Sequence, residues 1–320
     1  MIASETTTPE QPRPIRRGVT GGDRIFSNVA TAAASVALVV IVATIVFLVS
    51  ESRQAFRVSG VVGFFTKSVW NGSEGRFGVF GLLVGTAMIA AIAMLLAFPI
   101  SIAMATFIVE YAPPRLARIL TGAVDLLAAL PSLLFGMWGR DALQGHLRPV
   151  GVWLSDHLVA LPMLRVSDGA VLARSAFVAG VVVSFMITPT ITSITRDVMS
   201  QIPRELCEGA LGLGATRWGM LRSVSYPFAR RGMLGATLLA FGRALGETIA
   251  VAIIISISIR ANTHILEEGA GSIAAQIATR FGEASDVERS GLVAAGLALM
   301  LLSLGVGLVA RRIVERSAQV

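Results

Sequence analysis

The sequence predicts an all-α membrane protein with six transmembrane helices. Three observations carry this. Hydrophobic residues make up 54% of the chain and charged residues only 15%, with a mean hydropathy of +0.73; soluble domains carry about a quarter charged residues. Six apolar stretches each approach or exceed the roughly 20 residues a membrane helix needs. The basic residues are scattered through the segments between those stretches, so the net charge of +7 does not describe a nucleic-acid surface.

In chain order, residues 1–28 are polar and proline-containing and are expected to be a disordered cytoplasmic tail. The first span is Val29–Val49. It is not a cleavable signal: its apolar run exceeds the about 7–15 residues of such a segment, and Val49-Ser50-Glu51-Ser52 is no small-residue cleavage site. With its outer loop it occupies 29–77. A core of five further helices follows over 78–310: Val79–Val109, Ile119–Trp138, Ser175–Ile194, Met233–Ile259 and Ser290–Ala310. This core carries a cytoplasmic loop at 195–232, and a cytoplasmic tail closes the chain at 311–320. Arginines at 13, 16, 17, 24, 115, 118 and in the 195–232 loop place both termini inside.

Prolines 99, 131 and 189 fall inside spans 2, 3 and 4, where a missing backbone donor is expected to kink a helix. Such breaks in a membrane line a cavity or are buried in protein. Gly81-x-x-x-Gly85 and Gly242-x-x-x-Gly246 both have the spacing of close helix contacts. Cys207 is the only cysteine, so there is neither an internal disulfide nor a cysteine-based metal site. His146, His157 and His264 fall in separate outer segments and suggest no metal site.

The residues with most chemical meaning are Arg243 and Glu247, in the string Gly242-Arg243-Ala244-Leu245-Gly246-Glu247-Thr248 of span 5. A charge at a helix centre costs about 2.5–3.5 kcal/mol on insertion scales. The i, i+4 spacing puts both on one face, where they can partly neutralise each other, and the arginine fork suits a tetrahedral oxyanion. Two readings follow: an anion pathway through Arg243, Glu247 and Thr248, or a structural ion pair that fixes packing. Asp125, near the inner end of span 3, reads as structural.

The loop holds a second constellation: Glu208-Gly209-Ala210, three residues, Gly214, nine residues, then Val224-Ser225-Tyr226-Pro227. Glu205, Cys207, Glu208, Ala210, Leu211 and Leu213 suit a short helix with one apolar face. Gly212 and Gly214 permit a sharp turn, and Arg217, Arg222, Arg230 and Arg231 mark the loop as cytoplasmic. No G-x-x-x-x-G-K-[ST] string is present, since Lys67, the only lysine, follows Thr66. The chain is therefore not expected to be an enzyme by itself.

This loop resembles the coupling loop of bacterial ABC-importer permeases. Four segments narrow the resemblance to the C-type transmembrane subunit of phosphate-specific importers, across most of residues 78–251: Phe98-Pro99-Ile100-Ser101 with Glu110-Tyr111-Ala112-Pro113; Leu127-Ala128-Ala129-Leu130-Pro131-Ser132 with Phe135-Gly136; Pro189-Thr190-Ile191-Thr192 with Leu213-Gly214-Ala215-Thr216-Arg217-Trp218; and Gly242 through Val251. Ser101, Gly209 and Tyr226 depart from the family pattern. The resemblance implies a MetI-like bundle paired with an A-type permease. Two copies of a cytoplasmic ATPase would hold ATP and Mg, with no cofactor in this chain, and an extracytoplasmic phosphate-binding protein would dock outside. It assigns Glu205, Glu208, Gly209, Ala210, Gly214, Arg217 and Pro227 to ATPase coupling. A sulfate or molybdate permease would share the loop but is not expected to share the Arg243–Glu247 string. A membrane scaffold or secondary transporter would explain the spans, though the latter should show repeats and no docking loop. The outer loop 139–170, with Trp153, fits either an interfacial helix or a surface for the binding protein.

Overall fold

The computed structural model describes residues 21–317 apart from Ser73, Val159 and residues 168–171, with side chains to Arg312. Residues 1–20 and 318–320 of the two expected tails lie outside the described residues. From Gly21 the chain is helical, and the last helix runs on to Ser317, so helix extends past both expected span boundaries.

Two units are distinct: one reaches Phe47, the other begins at Leu48. The first is most of α1, Gly21–Glu51, an apolar helix with no buried residue. In the second, a small lobe comprises α2 (Arg53–Ser59), α3 (Val61–Thr66) and a hairpin of β1 (Trp70–Asn71) with β2 (Arg76–Phe77), antiparallel and paired Trp70 to Phe77. This lobe packs against the first part of α14, Asp286–Ser317: Trp70 Nε1 donates to Glu288 Oε1 at 3.0 Å, and Ser290 Oγ donates to the Glu51 carbonyl at 2.6 Å.

The core pairs α4, Phe80–Thr106, with α8, Ala176–Met199. Gly85, Ile89, Ala93, Ala97, Ser101 and Ala105 form a buried ridge of mostly small residues at helical spacing along α4, which lets the two backbones approach. Ser101, one of the departures from the family pattern, uses its hydroxyl here: Oγ donates to the Thr188 carbonyl at 3.1 Å. The two helices run parallel. Their first turns meet the segment 255–272, and their last turns meet the loop module described below.

The described residues supply four continuous spans, or five if a bent helix pair counts as one. Among the described residues four helices are long and apolar enough to cross a membrane: 21–59, 80–111, 176–199 and 286–312. The expected third span is a bent pair, α5 (Pro114–Ala129) and a helix over 132–157, meeting at 93°. The break falls at Pro131. Its ring pushes the preceding Leu130 to an extended backbone, φ −66° and ψ 135°, and the helix stops. Beyond the bend lie α6 (Ser132–Trp138), a π-helical turn at Gly139–Leu143 and α7 (Gln144–His157). Pro99 and Pro189, by contrast, sit inside helices that continue through them.

The expected fifth span is also interrupted. Helix α11, Tyr226–Leu245, stops, and α12 covers only Ile249–Ile254. Residues from Ile255 leave the helix, and a non-helical segment leads to α13, Ile273–Arg280.

The two GxxxG pairs diverge. A Cβ on Gly81 would lie 2.2 Å from the Ile259 carbonyl oxygen, and one on Gly85 2.2 Å from that of Gly271. The first pair therefore seats the irregular 255–272 segment, not another membrane helix. Gly242 has nothing within 4 Å of where a Cβ would stand, and Gly246 meets only carbonyls of its own turn, so the second pair makes no close contact within this chain.

Candidate functional site

Two assemblies of residues carry chemistry. The first is the loop module beyond α8. Helix α9, Arg204–Gly212, has Pro203 as its N-cap residue and Glu205 in its first turn, where a carboxylate favours the helix dipole. No residue of α9 is buried, and Leu206, Leu211 and Leu213 present exposed apolar surface, Leu213 at 91%. Glu208, Gly209 and Ala210 lie on this helix. Its end is a Schellman turn: Gly214 N–H donates to the Leu211 carbonyl at 2.9 Å, and Ala215 N–H to the Ala210 carbonyl at 3.1 Å. Gly214 has φ +91°, which only glycine adopts without strain. Gly212, expected to share the turning role, is the last residue of α9 and lacks a positive φ. Thr216 then caps α10, Arg217–Met220, its Oγ1 accepting from Gly219 N–H at 3.1 Å.

The module is anchored to the end of α4. The Arg217 guanidinium lies 5.9 Å from the Tyr111 ring centre, a cation–π geometry. Trp218 and Tyr226 meet edge-on at 6.2 Å, and the Tyr226 hydroxyl lies 3.3 Å from Thr106 Oγ1. Tyr226, the second departure from the family pattern, is thus tied to α4. Pro227 lies just past a π-helical turn, Leu221–Ser225, inside one helical run that joins α10 to α11. Gly209, the third departure, faces open space. A cavity of about 220 Å³ separates α9 from the α4 end, lined by Glu110, Tyr111, Arg204, Cys207, Glu208 and Arg217 among others. Partial burial raises the Cys207 thiol pKa first and the nearby Glu110 charge next, while a hydrogen bond with Ser225 opposes them. This thiol is kept protonated and poorly reactive.

The second assembly is the interruption in span 5. Arg243 is in the last turn of α11, where its charge meets the negative helix end. It is exposed on this chain, and its Nη1 donates to Thr190 Oγ1 of α8 at 3.4 Å. Glu247 sits in the break. Its Oε1 accepts from Ala250 N–H at 3.4 Å, and no Arg243–Glu247 contact comes within the 4.0 Å of an ion pair. The expected mutual neutralisation therefore fails, because the helix ends between them and the i, i+4 geometry is lost. Thr248 turns back on itself, Oγ1 donating to the Gly246 carbonyl at 2.9 Å. Arg243, Glu247 and Thr248 do gather at one break, on a face this chain leaves open.

Asp125 pairs with Arg196 of α8 at 3.6 Å, a partner the sequence reading did not name. Thr190 was read only as part of a family string, not as a partner of Arg243. Its signal was weak: a hydroxyl in a threonine-rich span, visible only once α8 and α11 are packed together.

Residues 97–319 match the model of the binding-protein-dependent transport system inner membrane component family. The chain is 36% identical over 318 residues to the phosphate transport system permease protein PstC of Xylella fastidiosa, covering 99% of this chain and 97% of that one. It is 37% identical over 306 residues to PstC 2 of Mycobacterium tuberculosis, covering 94% and 93%. In fold it resembles a chain of a bacterial alginate ABC transporter solved with a pentasaccharide-bound periplasmic protein, with a TM-score of 0.60, 15% identity and coverage of 92% and 98%. A chain of the inward-facing MetNI methionine ABC transporter matches with a TM-score of 0.50, 16% identity and coverage of 75% and 94%. The fold is that of a MetI-like importer permease, and this chain belongs to the binding-protein-dependent transport system inner membrane component family.

Proposed function

We propose that this chain is a transmembrane subunit of an ATP-driven inorganic phosphate importer and forms half of its translocation pathway. The observation that carries the pathway reading is Arg243: a guanidinium held at a helix break by a neutral hydroxyl, on an open face, with no carboxylate claiming it. The relatives named phosphate transport permeases support the choice of anion. The open face at Gly242–Thr248 awaits a second permease of A type. An ATPase binds ATP and Mg in trans and docks on the exposed apolar face of α9, with Glu205, Glu208, Ala210 and Arg217 around it. An extracytoplasmic binding protein delivers phosphate, and both termini are cytoplasmic in the bacterial inner membrane. ATP binding draws the α9 modules together, and the Tyr111–Arg217 and Thr106–Tyr226 contacts pass that motion to α4.

Glu247 adds selectivity. Phosphate near neutral pH still carries a hydroxyl that can donate a hydrogen bond to a carboxylate, whereas sulfate carries none and is repelled. The test is uptake by the reconstituted transporter. Arg243→Gln should abolish most phosphate uptake with assembly intact. Glu247→Gln should lose less and admit sulfate when a binding protein variant delivers it. Rescue by an Arg243→Glu, Glu247→Arg swap would overturn the reading, since it would show that only the pairing matters.

A further inference from the structure

The exposed strip of α8 does not end at Thr190. One turn further along lies Ser193, also half-buried, and then Arg196 and Asp197. Arg196 lies six residues beyond Thr190, about 9 Å down the helix axis. Its side chain is 17% exposed, and its partners are Ser193 Oγ at 3.3 Å, Asp197 Oδ1 at 2.9 Å and Asp125 Oδ1 at 3.6 Å. The strip thus carries a guanidinium at each end, with hydroxyls between them.

The two guanidiniums differ in their partners. Arg243 has only a hydroxyl. Arg196 is shared by two carboxylates that are themselves half-exposed or more, Asp125 at 52% and Asp197 at 60%. Its Nη1 is buried and has no hydrogen bond, only the loose 3.6 Å approach of Asp125. The Asp125 approach is long, so it leaves the hydrogen-bonding capacity of this buried nitrogen unused. An oxyanion in the place of Asp125 would give Nη1 the hydrogen-bond partner it lacks, and a guanidinium–oxyanion contact is the stronger, charge-assisted kind.

We propose that Arg196 is a second oxyanion contact for the transported phosphate, on the loop-module side of Arg243. Asp125 is the counter-ion that reclaims Nη1 and repels the anion onward, while Asp197 keeps its hold on Nε and Nη2. The proposal rests on the pathway reading of Arg243 and on the cytoplasmic placement of α9. Thr190 and Ser193 supply neutral hydrogen bonds between the two stations. The release step needs no covalent chemistry, since one carboxylate–guanidinium contact forms as one phosphate–guanidinium contact breaks.

The test is radiolabelled orthophosphate uptake into liposomes holding the whole transporter: this chain, its partner permease, the ATPase and the binding protein. Arg196→Gln, Arg196→Lys, Asp125→Asn and Arg243→Gln are run in parallel, with co-purification as the assembly control. Arg196→Gln should lower uptake about tenfold to a hundredfold, the loss of one charge-assisted contact. Arg196→Lys should recover most of it, and Asp125→Asn should lose far less than Arg196→Gln. Equal losses in Asp125→Asn and Arg196→Gln would show that the pair only tethers α5 to α8 and would overturn the proposal. Wild-type uptake in Arg196→Gln would do the same. If Arg196→Gln does not assemble, Arg196→Lys and Asp125→Asn decide: uptake kept in both supports the contact, and uptake lost in both overturns it. If Arg243→Gln transports normally, the pathway reading has failed and this inference falls with it.

Discussion

Gly81–Gly85 and Gly242–Gly246 share one spacing and have opposite surroundings. The first pair is filled: backbone carbonyls of Ile259 and Gly271 stand where side chains would be. The second opens on space that this chain leaves empty. The first pair therefore belongs to packing completed within the chain, and the second to a face that lies open on it. The same contrast runs through the molecule. The α4–α8 core and the small lobe are packed against themselves. The α11–α12 break and the α9 module display charged or apolar groups with few partners of their own.

The sharpest way to break this comparison is to fill the first pair. Gly85→Val places branched carbon against the Gly271 backbone, and overpacking of this kind costs about 1–3 kcal/mol and occasionally more. Since the contact is with backbone, the chain should fail to assemble, read as lost recovery from detergent-solubilised membranes. Normal recovery would show that the 255–272 segment moves aside freely.

Gly214→Val should have the next largest effect, with the chain still inserted. A β-branched residue at φ +91° is a strong outlier, and the left-handed region costs an L-residue about 1–2 kcal/mol. No atom stands within 4 Å of the new Cβ, so the harm comes from the backbone turn, not from crowding inside the chain. Phosphate uptake and ATPase recovery in pull-downs should fall together. ATPase recovery at the wild-type level would remove α9 from the docking role.

Gly242→Ala tests the open pair. Within this chain it should be neutral or stabilising by about 0.5–1 kcal/mol, the ordinary helix preference for alanine. Uptake by the complete transporter should nonetheless fall, because the methyl group occupies space reserved for a partner or an anion. Unchanged uptake together with a stabilised chain would mean that this face meets lipid.

The smallest effect concerns Cys207. Its raised thiol pKa leaves little thiolate near neutral pH, and the thiolate fraction grows as pH rises towards that pKa. Maleimide labelling of the isolated chain should be slow near neutral pH and quicken with alkalinity. Docked ATPase should slow it further, and rapid labelling at neutral pH would place the thiol outside the α9–α4 cavity.

Much of this was legible beforehand. The apolar runs marked the membrane segments, because crossing lipid demands length and hydrophobicity and little else. The Glu208–Gly214 spacing located the α9 turn, because a Schellman end requires glycine at one position, and Gly214 fills it. Pro131 announced a kink, although not that it would be a 93° bend while Pro99 and Pro189 leave their helices unbroken. Proline removes one donor in each case. Whether the helix survives depends on what neighbours supply around it, and that is not written locally.

By itself, the sequence determined the class, the family resemblance and the residues worth watching: Arg243, Glu247, Thr248 and the α9 module. Only the tertiary structure decided which of them meet. It separated Arg243 from Glu247, because span 5 ends at Leu245 and the helical spacing no longer holds. It gave Arg243 to Thr190 and Asp125 to Arg196, contacts between elements far apart in the chain. It also decided which glycine pair is packed and which is open. Spacing along a helix states which residues share a face; only packing states what that face touches.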